Sequence, residues 1–523
     1  MRISTSQFYE SSAANYQKNF ANAVKSSQEA SSLVRINTAA DDPVGASRLL
    51  QLGQQASMLD QYNANTNTLK ATLGQTESVM TSINNVLQRA KELAIGAGNG
   101  TFTDADRQAN AEELGQIEEQ LLSLMNSKDE NGTYIFAGSK GDTVPFTRNS
   151  DGTYSYNGDQ VTLDLPVGDT MSMATNSTGW DVFQQAINTS RSQVIMTAPA
   201  VDDGRVTLSN GQVSSNVTYD SKFRSGEPYT VTFVSGTQLK ITDSSGTDVT
   251  TEATKSGVFD PNSAVGQAVN FRGVELNLNI NLQPGDNAAA LLPGHSFTLA
   301  STPDTFTATR SAGNPSAAQI TSASISNSAN YHASFPSGSA ILKFTSATAF
   351  ELYAAPLTST SRPVSTGNIA GSVATASGVS FTLTTPPGPS ANDQFSISVN
   401  THQTQNILDT VSQLKSALNA PTNGNPTLMQ QQQASITAGI ANLASGNDRL
   451  SSALSSVGGR GAALDTQAQI NQSLSMANTQ TQSSIRDSDP AAVMTRLTLQ
   501  QTMLQASQLA FSKITQLGLF NKI

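Results

Sequence analysis

The chain has 523 residues, no cysteine, one tryptophan, and 29 basic against 39 acidic side chains, for a net charge of −10. Charged residues are only 13% of it, against about 25% in an average globular chain. This composition excludes disulfides and thiolate chemistry, argues against a nucleic-acid partner, which needs clustered Lys and Arg, and contains no run near the ~18 apolar residues of a membrane span.

At roughly 100–200 residues per domain the length allows two to four domains. Residues 1–30 lack the apolar core of a signal peptide, so export is expected to use no cleaved leader. The nineteen prolines partition the chain: Pro43 stands alone before residue 139, fifteen lie from Pro145 to Pro389, and Pro421, Pro426 and Pro490 follow. Proline is excluded from helix interiors and tolerated in turns and at sheet edges. The pattern predicts helical ends around a strand-and-turn middle.

In chain order, Ala13, Tyr16, Phe20, Ala23, Ser27, Ala30 and Val34 step by three and four, as a coiled-coil seam does. Asp41-Asp42-Pro43 then places a helix N-cap before a proline at the first helical position. The seam resumes through Leu49, Leu52, Ala56 and Leu59 and on to Leu73, Thr76, Met80, Ile83, Leu87, Ala90 and Ala94. A helix over 46–95 would be about 75 Å long, too long for a compact domain, so a rod is expected. Thr103-Asp104-Ala105-Asp106 has a capping-box pattern and opens a third helix through Leu114, Ile117, Leu121 and Leu124.

The middle reads as β structure. Phe146–Arg148, Thr153–Tyr156 and Val161–Leu165 are short alternating runs around Asp-Gly and Asn-Gly turns, a small meander. Val274, Leu276, Leu278, Ile280 and Leu282 alternate in period two. Tyr229–Ile241 aligns with Ala340–Leu352, Gly273-Val274 with Gly378-Val379, and Phe297/Leu299 with Phe395/Ile397. That repeat of roughly one hundred residues predicts two tandem β modules.

Beyond residue 400, Ile436, Ile440, Leu443, Asn447, Leu450, Leu454, Val457, Gly461 and Leu464 restore the heptad step, and Asp489-Pro490 repeats the Asp-Pro helix start. Two terminal segments of similar length, each bounded by Asp-Pro, are expected to pair. Their seams are poor, because Ser27, Asn63, Thr66, Asn447 and Gln500 sit where a stable coiled coil wants Leu or Ile. The outermost 40 and 35 residues are therefore expected to stay loose until a partner completes their burial.

Nothing in the sequence forms a catalytic or cofactor site. His295, His332 and His402 lack metal-ligand spacing and read as surface residues. Glu112-Glu113 and Glu118-Glu119 read as solvated helix faces, and Asp41-Asp42 as a cap, because neighbouring carboxylates on a helix diverge instead of converging on a substrate. Gly458-Gly459-Arg460-Gly461 lacks the preceding strand and the Lys-Ser/Thr of a phosphate loop and reads as a loosened or hinged helix.

The expected fold class is α+β and multidomain: a long coiled-coil rod of N- and C-terminal segments carrying an inserted β region of two modules. Its domains are 1–42 with 489–523 for assembly, 43–190 with 400–488 as the rod with a small β-hairpin region, and β modules at 191–302 and 303–399. The candidate assembly residues are Phe8, Phe20, Val24, Val34, Leu497, Leu504, Phe511, Ile514, Leu517 and Phe520. The candidate helix-boundary residues are Asp41, Asp42, Pro43, Asp489 and Pro490.

Four segments carry a resemblance to the flagellin family: Met1-Arg2-Ile3-Ser4-Thr5; the stretch Arg35-Ile36-Asn37-Thr38-Ala39-Ala40-Asp41-Asp42-Pro43-Val44-Gly45; Gly132-Thr133-Tyr134-Ile135-Phe136-Ala137-Gly138-Ser139 followed by Pro145-Phe146; and Leu517-Gly518-Leu519-Phe520. The first and last resemble an adapter of that family more than its filament subunit. The resemblance covers about 1–150 and 400–523. It implies a structural, self-assembling protein, exported unfolded through the flagellar channel to an extracellular place in the bacterial flagellum. The implied partners are the first hook-associated protein, flagellin, further copies of this chain, and an export chaperone at the C-terminal helix, with no cofactor, membrane or nucleic acid. Flagellin itself is the alternative, and an enzyme or adhesin on a helical stalk a more distant one.

Overall fold

The computed structural model describes residues 5–263, 265–336 and 338–520. Side chains at 5, 6, 8, 9, 329 and 514–520 are outside the described set. Phe8, Ile514, Leu517 and Phe520 therefore lie outside it, as do most of the opening motif and the residues after Phe520.

Six long helices frame the chain: α1 (Thr5–Ser32), α2 (Pro43–Ala97), α3 (Asp104–Met125), α4 (Ile407–Asn419), α5 (Pro426–Arg486) and α6 (Pro490–Phe520). Long helices at the ends and sheets in the middle make this an α+β multidomain fold. Contacts group into two units, Met1–Gly74 with Leu163–Thr175 and Val457–Ile523, and Gln75–Thr162 with Asn176–Ser456.

In the first unit, α1 packs on α6. The early part of α2 meets the late part of α5 through polar contacts: Asn478 donates to the Leu52 carbonyl at 3.0 Å, and Lys70 pairs with Asp465 at 2.5 Å. The hairpin of Asp164–Pro166 and Ser172–Ala174 is pinned to both helices. Asn65 donates to the Pro166 carbonyl, Asn471 to that of Val167, and Arg460 to that of Ala174. This corrects the expected meander: among the described residues Phe146–Arg148 pairs only with Tyr154–Tyr156, and the third run turns forward onto 172–174 instead.

Helix α5 runs unbroken through Gly458-Gly459-Arg460-Gly461, so the expected loosening is absent. Each helical glycine costs about 1 kcal/mol relative to Ala. Here Val457 and Leu464 stay buried on either side, and Arg460 bonds the hairpin, so packing overrides propensity.

In the second unit, α3 begins at the expected capping box, in which Asp106 donates its backbone N–H to Thr103 Oγ1 and accepts from the Thr103 N–H. Leu114, Ile117 and Leu121 of α3, Leu408, Val411 and Leu414 of α4, Met80, Ile83 and Leu87 of α2, and Ile436, Leu443 and Leu450 of α5 are all buried. Glu118 is also completely buried, against the expectation of a solvated face. Helix α4 lies against α3 and brings Lys415 to it, while Tyr154 donates its hydroxyl to Glu118 at 2.7 Å. A buried carboxylate persists only when paired and hydrogen-bonded in this way.

The β region consists of two modules with one topology. The first has β1 (Ser192–Ala198), β2 (Val206–Leu208), β3 (Tyr229–Phe233), β4 (Leu239–Thr242), β5 (Gln267–Phe271), β6 (Val274–Ile280) and β7 (Ser296–Ser301). The second has β8 (Thr305–Arg310), β9 (Ile320–Ile325), β10 (Ser339–Phe344), β11 (Ala349–Ala354), β12 (Val373–Ala376), β13 (Val379–Leu383) and β14 (Gln394–Asn400). The first module's sheets are ordered β4-β3-β7-β1 and β5-β6-β2; the second repeats them as β11-β10-β14-β8 and β12-β13-β9, with Ser365–Asn368 added beside β11. Each module closes over its own aromatic core, around Tyr219, Phe223, Tyr229, Phe233 and Phe271 in one and Phe344, Phe350, Phe381 and Phe395 in the other.

The repeat extends to its tightest turn. Arg272-Gly273 joins β5 to β6 and Ser377-Gly378 joins β12 to β13, all four with positive φ, as a two-residue hairpin of this twist requires. A Cβ on Gly273 would stand 2.7 Å from the Ser215 carbonyl oxygen, and one on Gly378 2.3 Å from that of Asn327. Both glycines therefore seat a hairpin on a short helix capped by that Ser or Asn.

The histidine expectation fails at His295, which is 4% exposed. Its Nδ1 faces the Leu292 carbonyl and its Nε2 faces Asp203, both at 3.0 Å, so both ring nitrogens are satisfied under the end of β3.

Candidate assembly interface

The candidate site is the α1–α6 pair with the two bends that end it. At the first bend Asp42 accepts from the Gly45 N–H at 2.9 Å, so α2 starts on a capped proline. A Cβ on Gly45 would lie 2.6 Å from both Asp42 Oδ2 and Ile36 Cδ1, so a larger residue would have to displace the capping carboxylate and the Ile36 side chain. Asp41 accepts from the N–H groups of Asn37 and Thr38 and pairs with Lys25 at 2.7 Å. The Lys25 hydrogen bond, followed by those of Thr38, holds its carboxyl well below the usual carboxylate range. At the second bend Asp489 accepts from the Ala491 N–H at 2.9 Å, and α6 starts at Pro490. The bends are bonded to each other: Arg35 N–H donates to the Arg486 carbonyl at 2.7 Å, and Ser488 N–H to that of Leu33 at 2.9 Å. Val34 is half-buried in this bridge, opposite Asp487.

Along the helices the seam is mostly small or polar. Ala23, Ser26, Glu29 and Val493 are buried, and Leu497, Gln500 and Leu504 are half-buried. Asn19 donates to Ser507 Oγ at 2.5 Å, and Tyr16 stacks on Phe511 with ring centroids 6.2 Å apart. Glu29 accepts from Ser488 Oγ at 2.6 Å and pairs with Arg496. Burial alone would raise the Glu29 carboxyl, but Ser488 and Arg496 outweigh it and hold it below its ordinary value. A half-exposed ion pair of this kind contributes about 1 kcal/mol or less. The Gln500 Oε1 is buried without a hydrogen-bond partner among the described residues, so this seam position adds a cost.

The apolar side chains sit elsewhere. Phe20 is 52% exposed and Val24, one turn on, is 50% exposed; Met494, Leu499, Met503 and Leu509 of α6 are each at least half exposed. Of the expected seam, Ala13, Tyr16, Ala23, Ala30 and Val34 do turn inward, but Asn19 and Ser26 take the places expected for Phe20 and Ser27. At these two positions the smaller or polar neighbour faces the partner helix and the expected residue faces out. Of the predicted site residues, the structure brings Val34, Leu497, Leu504 and Phe511 into the pair, and leaves Phe20 and Val24 on its outside.

Sequence reasoning missed Glu29, Ser488 and Arg496. Their one signal was a carboxylate and a guanidinium in the two segments that the Asp-Pro boundaries already matched. It also missed Asn442, which holds the base of the β region in the second unit. There Ala186–Ile187 pairs with Thr404–Gln405, and the buried Asn442 accepts from the Thr189 N–H at 2.7 Å while donating toward Asn188 and Ser190. The chain thus passes into and out of the β region side by side.

Residues 3–141 match the bacterial flagellin N-terminal helical region. Flagellar hook-associated protein 3 of Salmonella typhimurium is 33% identical over 183 residues, 35% of this chain and 57% of that protein. A flagellin of Salmonella montevideo is 28% identical over 205 residues, 36% of this chain and 41% of that protein. The chain thus spans a little over half the length of the first relative. The crystal structure of flagellar hook-associated protein 3 from Legionella pneumophila aligns with a TM-score of 0.50 at 20% identity, over 82% of this chain and 97% of that one, which shows a shared fold. The resemblance read from the terminal motifs is borne out. The identity to hook-associated protein 3, and the share of that protein matched, exceed those for flagellin, while the share of this chain covered is nearly the same.

Proposed function

We propose that this chain is a structural adapter of the bacterial flagellum, joining the hook to the flagellin filament through its terminal helices. Its neighbours are the first hook-associated protein on one side and flagellin on the other, with further copies of itself around the ring. It leaves the cell unfolded through the flagellar export channel, its C-terminal helix held by an export chaperone until then.

The observation that carries this reading is the arrangement of α1 and α6. A helix pair gains stability chiefly from an apolar seam. Here the seam is polar and the larger apolar side chains, Phe20, Val24, Leu499 and Met503, face outward. Such a pair is held in register by its bends and offers its hydrophobic surface to neighbours. The higher identity to hook-associated protein 3 than to flagellin supports the adapter over the filament subunit.

Immunogold labelling of intact flagella tests the reading directly. A single band where hook meets filament is the expected result. A continuous coat along the filament, together with long filaments grown from purified monomer, would make the chain a flagellin.

A further inference from the structure

The second β module is attached at one narrow place. It begins at Thr305 and ends at Asn400, and these two residues are Cα partners in the β8–β14 register. A module joined by two adjacent strand ends can rotate unless side chains stop it.

Two buried carboxylates lie at that boundary. The Glu227 side chain, from the first module, is 6% exposed, and that of Asp304, in the linker, is 5% exposed. Burying such groups is costly unless each is paired and hydrogen-bonded. Glu227 accepts from the Ser301 N–H at 2.5 Å and faces His332 Nε2, from the second module, at 3.5 Å. Asp304 Oδ2 accepts from the Tyr331 hydroxyl of the second module at 2.6 Å and meets Arg224 of the first at 3.4 Å. Burial acts to raise the Glu227 carboxyl, but His332, Ser301 and Arg224 hold it below its ordinary value, so it is charged and bound.

The duplication separates what belongs to each module from what joins them. Tyr219, the counterpart of Tyr331, donates to the Arg191 carbonyl at 2.8 Å, just before β1, as Tyr331 grips Asp304 just before β8. A tyrosine holding the chain that leads into its own module is therefore common to both copies. Arg224 and Glu227 have no part in that grip in the first copy, and reach forward to the second.

We propose that Arg224–Asp304–Tyr331 and Glu227–His332 form a lock that fixes the two β modules as one rigid arm. Because buried pairs satisfy one geometry only, they select an orientation as well as an attachment.

The absence of cysteine makes the test clean, since two introduced cysteines are the only spin-labelling sites. Labels at Ser244→Cys and Ser359→Cys, both exposed, report between modules, and labels at Ser244→Cys and Val217→Cys report within the first. The full chain should give one narrow distance distribution for both pairs in double electron–electron resonance. Glu227→Gln with Asp304→Asn, which keeps side-chain volume, should abolish the narrow between-module distance and leave the within-module one unchanged. A broad between-module distribution in the parent chain, or a narrow one that survives in the variant, overturns the lock. If the within-module distance is lost as well, His332→Gln with Tyr331→Phe replaces the double variant, because it removes both of the second module's contacts and leaves Glu227 bonded to Ser301 and Asp304 to Arg224; broadening then supports the lock and an unchanged distance overturns it.

Discussion

The β modules and the terminal helix pair solve the same problem in opposite ways. Each module turns its aromatic residues inward, so that Tyr229, Phe271, Phe344 and Phe381 lose essentially all contact with solvent. The α1–α6 pair turns small and polar residues inward, Ala23, Ser26 and Glu29, and leaves Phe20, Val24 and Leu499 outside. One region completes its core alone. The other holds a register and leaves apolar surface uncovered. If that surface serves assembly, as proposed above, stability and assembly should respond to mutation separately.

The largest contrast comes from truncating one residue in each region. Phe381→Ala should cost about 3–5 kcal/mol, enough to melt the second module early in a calorimetric scan. Leu504→Ala, at a half-buried seam position, should shift the monomer's transition by about 0.5 kcal/mol or less yet leave filaments detached from hook tips. A large loss of monomer stability in Leu504→Ala would show that the helices form a finished core before assembly.

Next in size, the second module should depend on its turn. Gly378→Ala adds a Cβ where φ is positive and the Asn327 oxygen is 2.3 Å away, so a loss of about 1–3 kcal/mol is expected. Thermal melting followed in the near-ultraviolet would read it, and an unchanged midpoint would mean that the hairpin does not need this contact.

A loss of stability as pH rises should appear in the second unit, whereas the lowered carboxyls of Glu29 and Asp41 in the first unit act in the opposite direction, at lower pH. Burial pushes the Asp409 carboxyl up to about 6, Asp151 and Glu118 add to the rise, and the Tyr154 N–H offsets it only in part. A raised carboxyl gives stability that is complete below its unfolded value of 3.8 and is lost as pH rises through about 6. Asp409→Asn can still accept from Tyr154 and has no charge to bury. It should raise stability above pH 7 by up to about 3 kcal/mol and flatten the melting profile between pH 4 and 7. A variant that melts no higher at pH 7.5 would contradict this.

The smallest effect is expected on the outer face. Phe20→Ser with Val24→Ser should change monomer stability by no more than about 0.5 kcal/mol and abolish swimming. Replacing residues 196–398 by a short Gly/Ser linker should spare both, because Ala186–Ile187 and Thr404–Gln405 already bring the ends together and closure entropy grows slowly with loop length. Detached filaments with a secreted, folded deletion protein would assign the β arm a share of the joint.

Much of this was legible in the sequence because local rules carry it. The Asp-Pro helix starts, the Thr103–Asp106 box and the period-two run from Val274 are statements about neighbouring residues. The repeat was visible because Phe344 and Phe350 stand where Phe233 and Leu239 do. What stayed hidden was set by distant partners. Glu118 looks like a surface residue until Lys415 arrives on another helix, and Asn442 shows no role until the paired strands reach it. Two positions of the α1 seam, Phe20 and Ser27, were misread by one residue, because a three-or-four step leaves the choice between neighbours open and only the packing of α6 makes it.

Hydrogen exchange on the monomer and on the assembled joint tests the central claim most directly. Amides of residues 10–32 and 490–513 should exchange rapidly in a verified monomer while those of β3, β7, β10 and β14 stay protected, and should become slow once the chain is assembled. Equal, slow exchange of α1 and α6 in both states would show a pair that is finished on its own, and would contradict the account.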